Sequence, residues 1–450
     1  MKKKYVRWTL WTIASPFILF IILCILIYLP PIQNFLVDKA AVYASEATGM
    51  NISVGRISLS FPLNLVVTNV DAASPHNDTL LSVRRLQVNV QLLPLLKKQV
   101  EVDGISLQGA TVNSNDLIHG MKLNGTLGEL FISSHGVALD PETAIVNKVL
   151  LKDTDLSLCL NDTAAADTAA SDTTYWKIIL QDIDLQNVSF ALDMPLDSLS
   201  LAASLDNAIL RDGLIDLHKS TYSLQTFRIE NGRVRYDNGK PLAADSLSSG
   251  LDPSHIALTD IGVKLDSLYY GGRNMKAIIS QFVLKERSGV EIVSATGRMV
   301  SNDKVLRVPS LKLETRDSYL ELNAAMDWNA LDFKDEGLVS ARLMADIGKP
   351  DMVRFMGSMD EKFIRQYPSE PLRIRTGIDG DLNKLKLTTL TAELPGALGL
   401  FARGELTHLT DSLLRGGDIT LEAETKDLKF VSTLAEGIEL SLIHISEPTR

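Results

Sequence analysis

Seven histidines, two cysteines and a few acidic pairs are the residues of this chain that could carry chemistry. The histidines are His76, His119, His135, His218, His255, His408 and His444. A helical metal site uses two imidazoles one turn apart, and no two of these stand at i, i+4, so a metal would have to gather ligands from distant strands. Cys24 and Cys159 are too few for a multi-cysteine metal site and too differently placed for a disulfide. Asp182 with Asp184, and Asp379 with Asp381, stand at i, i+2. On a strand that spacing puts both carboxylates on one solvated face, which is less specific than an acid–base pair across a cleft. There is no G-x-S-x-G elbow, no Walker A loop and no G-x-G-x-x-G. Gly271-Gly272 and Gly416-Gly417 read as turns, and Asn124-Gly125-Thr126 as a sequon that matters only in a glycosylating compartment. The sequence therefore offers no catalytic, cofactor-binding or metal-ligating residue, and the expectation is a protein that is not an enzyme and holds no cofactor.

Composition narrows the class. The chain has 450 residues, 45% of them hydrophobic and 22% charged, which fits a folded chain and excludes a wholly disordered one. A net charge of −10 argues against a nucleic-acid partner, whose footprint is basic. Aromatics at 6% give little for base or sugar stacking.

The elements that must position these residues begin with an apolar run. Lys2, Lys3, Lys4 and Arg7 precede a stretch from Trp8 to Leu29 without a charge. As a helix it would rise about 33 Å, enough to cross the hydrocarbon core. The basic flank predicts a cytoplasmic N-terminus, with the body on the far side. The run is longer than a signal-peptide core and ends in Pro30-Pro31, so a retained anchor over residues 1–30 is expected. Residues 31–49 come next as an amphipathic helix, with Ile32, Phe35, Leu36, Ala40, Tyr43 and Ala44 on one face and Gly49 as its stop. This helix is expected to cap the body of the protein.

From Asn51 the period changes to 2. Leu86, Val88, Val90 and Leu92 alternate with Gln87, Asn89 and Gln91, and Ile105-Ser106-Leu107 alternates likewise, so the region 50–439 is expected to be mainly β. Helix windows are scarce there: Pro350 to Tyr367, with Met352, Phe355, Met356, Met359, Phe363 and Ile364 on one side, and a weaker one around Pro141 to Val146. Asn161 to Thr174 and Gly239 to Pro253 read as loops. Leu440 to Arg450 reads as the in-frame translation of a sequencing adaptor, which predicts that the frame is interrupted near Glu439.

The strands carry a repeat. A turn-prone centre has apolar residues at −4 and −2, a polar one at −1 and an apolar one at +3. The centres are Asn69, Gly109, Asp153, Asn187 and Asn231, spaced by 40, 44, 34 and 44 residues. The odd offset breaks strict alternation, so each centre is expected to bend or bulge its strand and return the apolar face to the same side. Gly, Asn and Asp suit the unusual backbone angles this requires. Units of this kind stack side by side.

The segment from the anchor through Ser45-Glu46-Ala47-Thr48-Gly49 and Val54-Gly55-Arg56-Ile57-Ser58-Leu59-Ser60-Phe61-Pro62, continuing through Leu92-Leu93 to Ile105-Ser106-Leu107-Gln108-Gly109-Ala110, resembles the start of AsmA-like proteins. Within them it is most similar to the TamB (translocation and assembly module) branch of Bacteroides-like bacteria. The resemblance covers residues 5–115 and, loosely, the later repeats. It implies an inner-membrane protein, N-terminus in the cytoplasm, whose periplasmic body is an elongated, repeat-built open β-groove (a β-taco) for phospholipid on its way to the outer membrane. It also implies an alternative role in assembling outer-membrane or secreted β-barrel proteins with an Omp85-type barrel as partner. Leu86, Val88, Val90, Leu92, Ile105 and Leu107 are then the candidate groove-lining residues, and Trp8 and Leu29 the ends of the anchor. From alternation alone the same residues could pack a closed core.

Overall fold

The structure, a computed structural model, describes residues 49–60, 64–74, 78–91, 102–114, 120–138, 142–161, 175–239, 250–356 and 361–437, together with Lys39, Ala41, Val42, Ser45 and Glu46. The expected anchor, with its ends Trp8 and Leu29, lies outside these residues, as do Leu92 and the segment 440–450. No helix among the described residues is long and apolar enough to cross a membrane. Lys39, Ala41, Val42, Ser45 and Glu46 are helical. Gly49, at φ +69°, donates to the Ser45 carbonyl at 2.9 Å, the left-handed stop that closes a helix.

The chain is mainly β and divides into two units, Met1–Asp197 and Ser198–Arg450. The first holds β1 (Asn51–Ser60), β2 (Asn64–Ala73), β3 (Thr79–Val90), β4 (Val102–Asn113), β5 (Met121–Ala138), β6 (Thr143–Leu160) and β7 (Lys177–Met194). They pair in sequence order, antiparallel from β1 to β6. β6 and β7 pair in parallel. The helix expected around Pro141 to Val146 is corrected: Thr143–Val146 open β6, where β-branched Thr143, Ile145 and Val146 suit a pleated surface better than a helix.

In the second unit β8 (Leu199–Asp216) lies beside both β9 (Thr221–Leu224) and β10 (Thr226–Asp237), which succeed one another along the same path and pair on their far side with β11 (His255–Gly271). The rest is an antiparallel meander: β12 (Asn274–Glu286), β13 (Glu291–Ser301), β14 (Val305–Thr315), β15 (Tyr319–Asp327), β16 (Leu338–Ile347), β17 (Leu372–Asp381), β18 (Lys384–Leu394), β19 (Leu398–Thr407) and β20 (Gly416–Thr425).

Short helices cover the strand ends here: α1 (Trp328–Leu331), α2 (Lys349–Met356), α3 (Glu361–Gln366) and α4 (Leu428–Gly437). The helix expected over Pro350 to Tyr367 is thus seen as α2 and α3. Met352 and Phe363 pack inward, whereas Phe355 is exposed. One small core gathers Ala330, Val339, Leu382 and Leu385. A second, at the opposite ends of β16 to β19, gathers Tyr367, Leu394, Ala397 and Phe430. Phe363, Tyr367 and Phe430 stand with ring centroids 5.6 to 5.8 Å apart, close enough for favourable aromatic contacts. Asp351, in the first turn of α2, is 1% exposed. It accepts from Thr315, from Ser318 Oγ at 2.7 Å and from Arg354 Nη1 at 3.0 Å, so its charge is paired where it is buried.

Tyr367 yields a test. Its ring is buried, its hydroxyl finds no hydrogen-bond partner among the described residues, and burial pushes the phenol up to about 12. Tyr367→Phe should leave the unit as stable or raise stability by about 1 kcal/mol at pH 7, because an unsatisfied buried hydroxyl is removed. The folded pKa lies above the ordinary value of 10, so the contribution is complete below pH 10 and lost as pH rises towards 12. Urea unfolding at neutral pH and near pH 11 should show this alkaline loss shrinking in the phenylalanine variant. A clear destabilisation at pH 7 would mean that the hydroxyl is bonded after all.

Candidate functional site: an uncovered apolar face crossed by a left-handed seam

The site is built from residues opposite one another on neighbouring strands, which share a face of the sheet. Leu86 pairs with Leu107, and Val88 with Ile105. Each row continues in both directions. One runs Ile57, Val67, Leu86, Leu107, Leu130, Leu151, Leu185, and the other Leu59, Leu65, Val88, Ile105, Ile132, Val149, Ile183. Both are purely aliphatic across all seven strands of the first unit. Val90 stands past a register shift and pairs with Val102.

Between these rows and the rest of each strand lies a seam. Gly55, Asn69, Arg84, Gly109, Gly128, Asp153 and Asn187 stand opposite one another, and at this level the ladder skips a position in all six strand pairs without changing register. Asn69, Gly109, Asp153 and Asn187 have φ between +49° and +62°. The fifth expected centre, Asn231 in β10, has φ +53°. All five centres of the sequence repeat are therefore left-handed, as expected from the odd offset and their residue types. Asp212 in β8 and Asp260 in β11 are left-handed as well, at φ +50° and +52°.

The small residues opposite the centres have a packing reason. A Cβ on Gly55 would stand 3.0 Å from the Asn69 Cβ, and one on Gly128 only 2.8 Å from the Asp153 Cβ. Asn187 Nδ2 donates to Asp153 Oδ1 at 2.8 Å, closing the seam across the parallel pair.

Beyond the seam the alternation restarts with its phase reversed. The next apolar rows are Val54, Val70, Val83, Ala110, Leu127, Thr154, Val188 and then Ile52, Ala72, Leu81, Val112, Gly125, Leu156, Phe190. These are positions +1 and +3 from the centres. The sequence pattern named +3 and left +1 open. Thr154 Oγ1 donates to the Lys152 carbonyl at 3.2 Å, so the one hydroxyl of these rows is satisfied. The rows of the other face nearest the seam are polar: Arg56, Thr68, Arg85, Gln108, Glu129, Lys152, Gln186 before it, and Ser53, Asp71, Ser82, Thr111, Thr126, Asp155, Ser189 after it; the next row out before the seam is mixed, with Ser58, Gln87, Ser106 and Asp184 beside Val66, Phe131 and Leu150. They carry their own side-chain ladder, with Ser82 Oγ donating to Asp71 Oδ1 at 2.7 Å and Ser189 Oγ to Asp155 Oδ2 at 2.6 Å.

Burial is uneven over the apolar rows. Thr154, Val83 and Ala110 in the row beside the seam, and Ala72 in the row beyond it, are 2 to 9% exposed. Leu86, Val88, Val90 and Leu107 are only half-buried. Ile105, Leu81 and Phe190 are 36 to 37% exposed. Among the described residues of this unit no second layer closes the face into a core.

Among the described residues the chemistry-bearing side chains do not converge. No three His, Cys, Asp or Glu side chains among the described residues stand close enough to hold a metal ion. His255 is buried with Nδ1 2.8 Å from Asp252, and this hydrogen bond, with the Ser254 N–H, holds the Asp252 carboxyl below its usual range. The arrangement ties the turn before β11. Asp184 lies 3.9 Å from Lys148, and Asp381 accepts from the Lys384 N–H at 2.7 Å. No family model matches the chain, and no curated protein matches it.

The seam makes an energetic claim. Asn69 tolerates the left-handed region, a β-branched residue does not, and Gly is free of the penalty. Asn69→Val should cost about 1–2 kcal/mol in urea unfolding, and Asn69→Gly markedly less. Equal effects would show that the left-handed backbone is not what matters at this level.

Proposed function

We propose that the chain is a non-enzymatic lipid conduit of the AsmA-like kind, a body that shields acyl chains on an apolar β-surface between the inner and outer membranes. The observation that carries the reading is the unbroken aliphatic face of the first unit, continuous over seven strands and uncovered among the described residues. An apolar surface of that extent marks a place where something apolar binds.

The physics selects the occupant. Backbone N–H and C=O groups on a sheet are consumed by the ladders, so a sheet face offers a ligand no hydrogen bonds. A peptide laid on it would strand its own polar groups, at a cost of several kcal/mol for each. A hydrocarbon chain brings no such groups and gains about 0.8 kcal/mol for each CH₂ removed from water. Passage along such a face needs no bond to form or break. The alternation of polar rows on the other side lets the same sheet face water.

The anchor expected over residues 1–30, the cytoplasmic N-terminus and the periplasmic body belong to this proposal, as does a place between two membranes. Support comes from the resemblance of residues 5–115 and from the basic flank before the apolar run.

One variant separates a conduit from a packed core. Val90→Asp places a charge on the candidate face. On an open face the carboxylate reaches water, so thermal stability should hold while photo-crosslinking of phospholipid to a probe at Val88 is lost. In a closed core an unpaired buried charge destabilises strongly, by about 3–5 kcal/mol. Collapse of stability, with no lipid adduct at Val88 in the unsubstituted protein, would refute the conduit.

A further inference from the structure

The lipid reading says which face is used and leaves open how the two halves of each strand contribute. Without the seam, strict alternation would put the rows at +1 and +3 on the polar side. With a left-handed residue at the same level in β2, β4, β6 and β7, and a ladder gap there in every pair, the phase reverses coherently. A bulged or left-handed position also bends its strand. Bends at one level across neighbouring strands make a crease. Burial is deepest near the seam at Val83, Ala110 and Thr154, at 2 to 9% exposure; one row farther out Ala72 is 6% exposed while its neighbour Leu81 is open, as is Ile105.

We infer that the seam is the fold line of the lipid path: Asn69, Gly109, Asp153 and Asn187 are positioning residues that turn the rows on both sides onto one apolar surface, so that an acyl chain runs along the seam, across the strands, touching both. This rests on the lipid reading and adds to it the direction of the path and the residues that set it. The glycines opposite the centres keep the crease free of Cβ groups where the neighbouring strand comes closest.

The test uses the whole chain in phosphatidylethanolamine–phosphatidylglycerol vesicles, with a photo-crosslinking residue placed singly along β4. Leu107 lies before the seam and Val112 beyond it. Gln108 and Thr111 belong to the polar rows. Phospholipid adducts at Leu107 and Val112, and none at Gln108 or Thr111, is the expected pattern. Adducts at Leu107 with Val112 silent would overturn the fold line while leaving the conduit standing. No adduct at either would sink the conduit reading itself.

A second arm perturbs the seam. Gly109→Val forbids the left-handed backbone at φ +62°, and Gly109→Asn permits it. In the valine variant labelling at Val112 should vanish while Leu107 still labels, and in the asparagine variant both should persist. Retention of the Val112 adduct in a valine variant with undiminished circular dichroism would contradict the inference. Should that variant not fold, the four probes in the unsubstituted chain decide alone.

Discussion

The structure of the first unit depends on one constraint of strand geometry. Side chains alternate with a period of two, so a strand that changes phase must do so at the same level as its neighbours, or its apolar residues end on the wrong face. Seven strands meet this requirement at Gly55, Asn69, Arg84, Gly109, Gly128, Asp153 and Asn187, with no slip of register at the seam. The requirement reaches into composition. β2, β4, β6 and β7 need a residue that accepts positive φ, and two of the other three strands need a glycine where a Cβ would collide. A two-residue polar break in each strand results, and so does the odd offset of the repeat.

The two units solve the problem of apolar surface differently. In the second, short helices and loops close two small cores, around Val339 with Leu385 and around Tyr367 with Phe430. Removing those side chains from water gives the usual driving force for folding. In the first, the described residues bury only Ala72, Leu80, Val83 and Ala110 among hydrophobics. Its rows of Leu, Ile and Val remain half-open. The hydrogen-bonded ladders and the polar rows can hold such a sheet together, but its apolar face gains most of its favourable free energy only when something apolar lies on it.

Much of this was legible in the chain. Period-two alternation gave the β class and placed Leu86, Val88, Ile105 and Leu107 together, because pleat parity is local information. The offset of +3 located five left-handed positions for the same reason. What lay hidden was relational. Asp260 carries the full pattern, with Ile256, Leu258 and Val263, but stands closer to Asn231 than the other centres stand to one another. Asp212 has only Ala208 at −4, a weak apolar signal. Gly55, Arg84 and Gly128 have no positive φ themselves, so only the polar break in their strands marks the seam there. The weak helix signal at Pro141 to Val146 gave way to pairing, since Ala144 and Val146 stand opposite Val137 and Ser134 in β5. Among the described residues the acidic pairs and histidines stay dispersed: Asp184 faces Lys148, Asp381 closes the turn at Lys384, and His255 ties the turn before β11.

The central claim is that the apolar rows on both sides of the seam form one open surface meant for lipid. Its most direct test is collision accessibility of spin labels at Leu107, Val112, Gln108 and Thr111, measured without and with phospholipid. The account predicts that Leu107 and Val112 are reached by a water-soluble relaxant when no lipid is present. They should then exchange that access for accessibility to oxygen once lipid is added, while Gln108 and Thr111 stay open to water throughout. Labels at Leu107 and Val112 shielded from the water-soluble relaxant in both conditions would show a sealed core and contradict it.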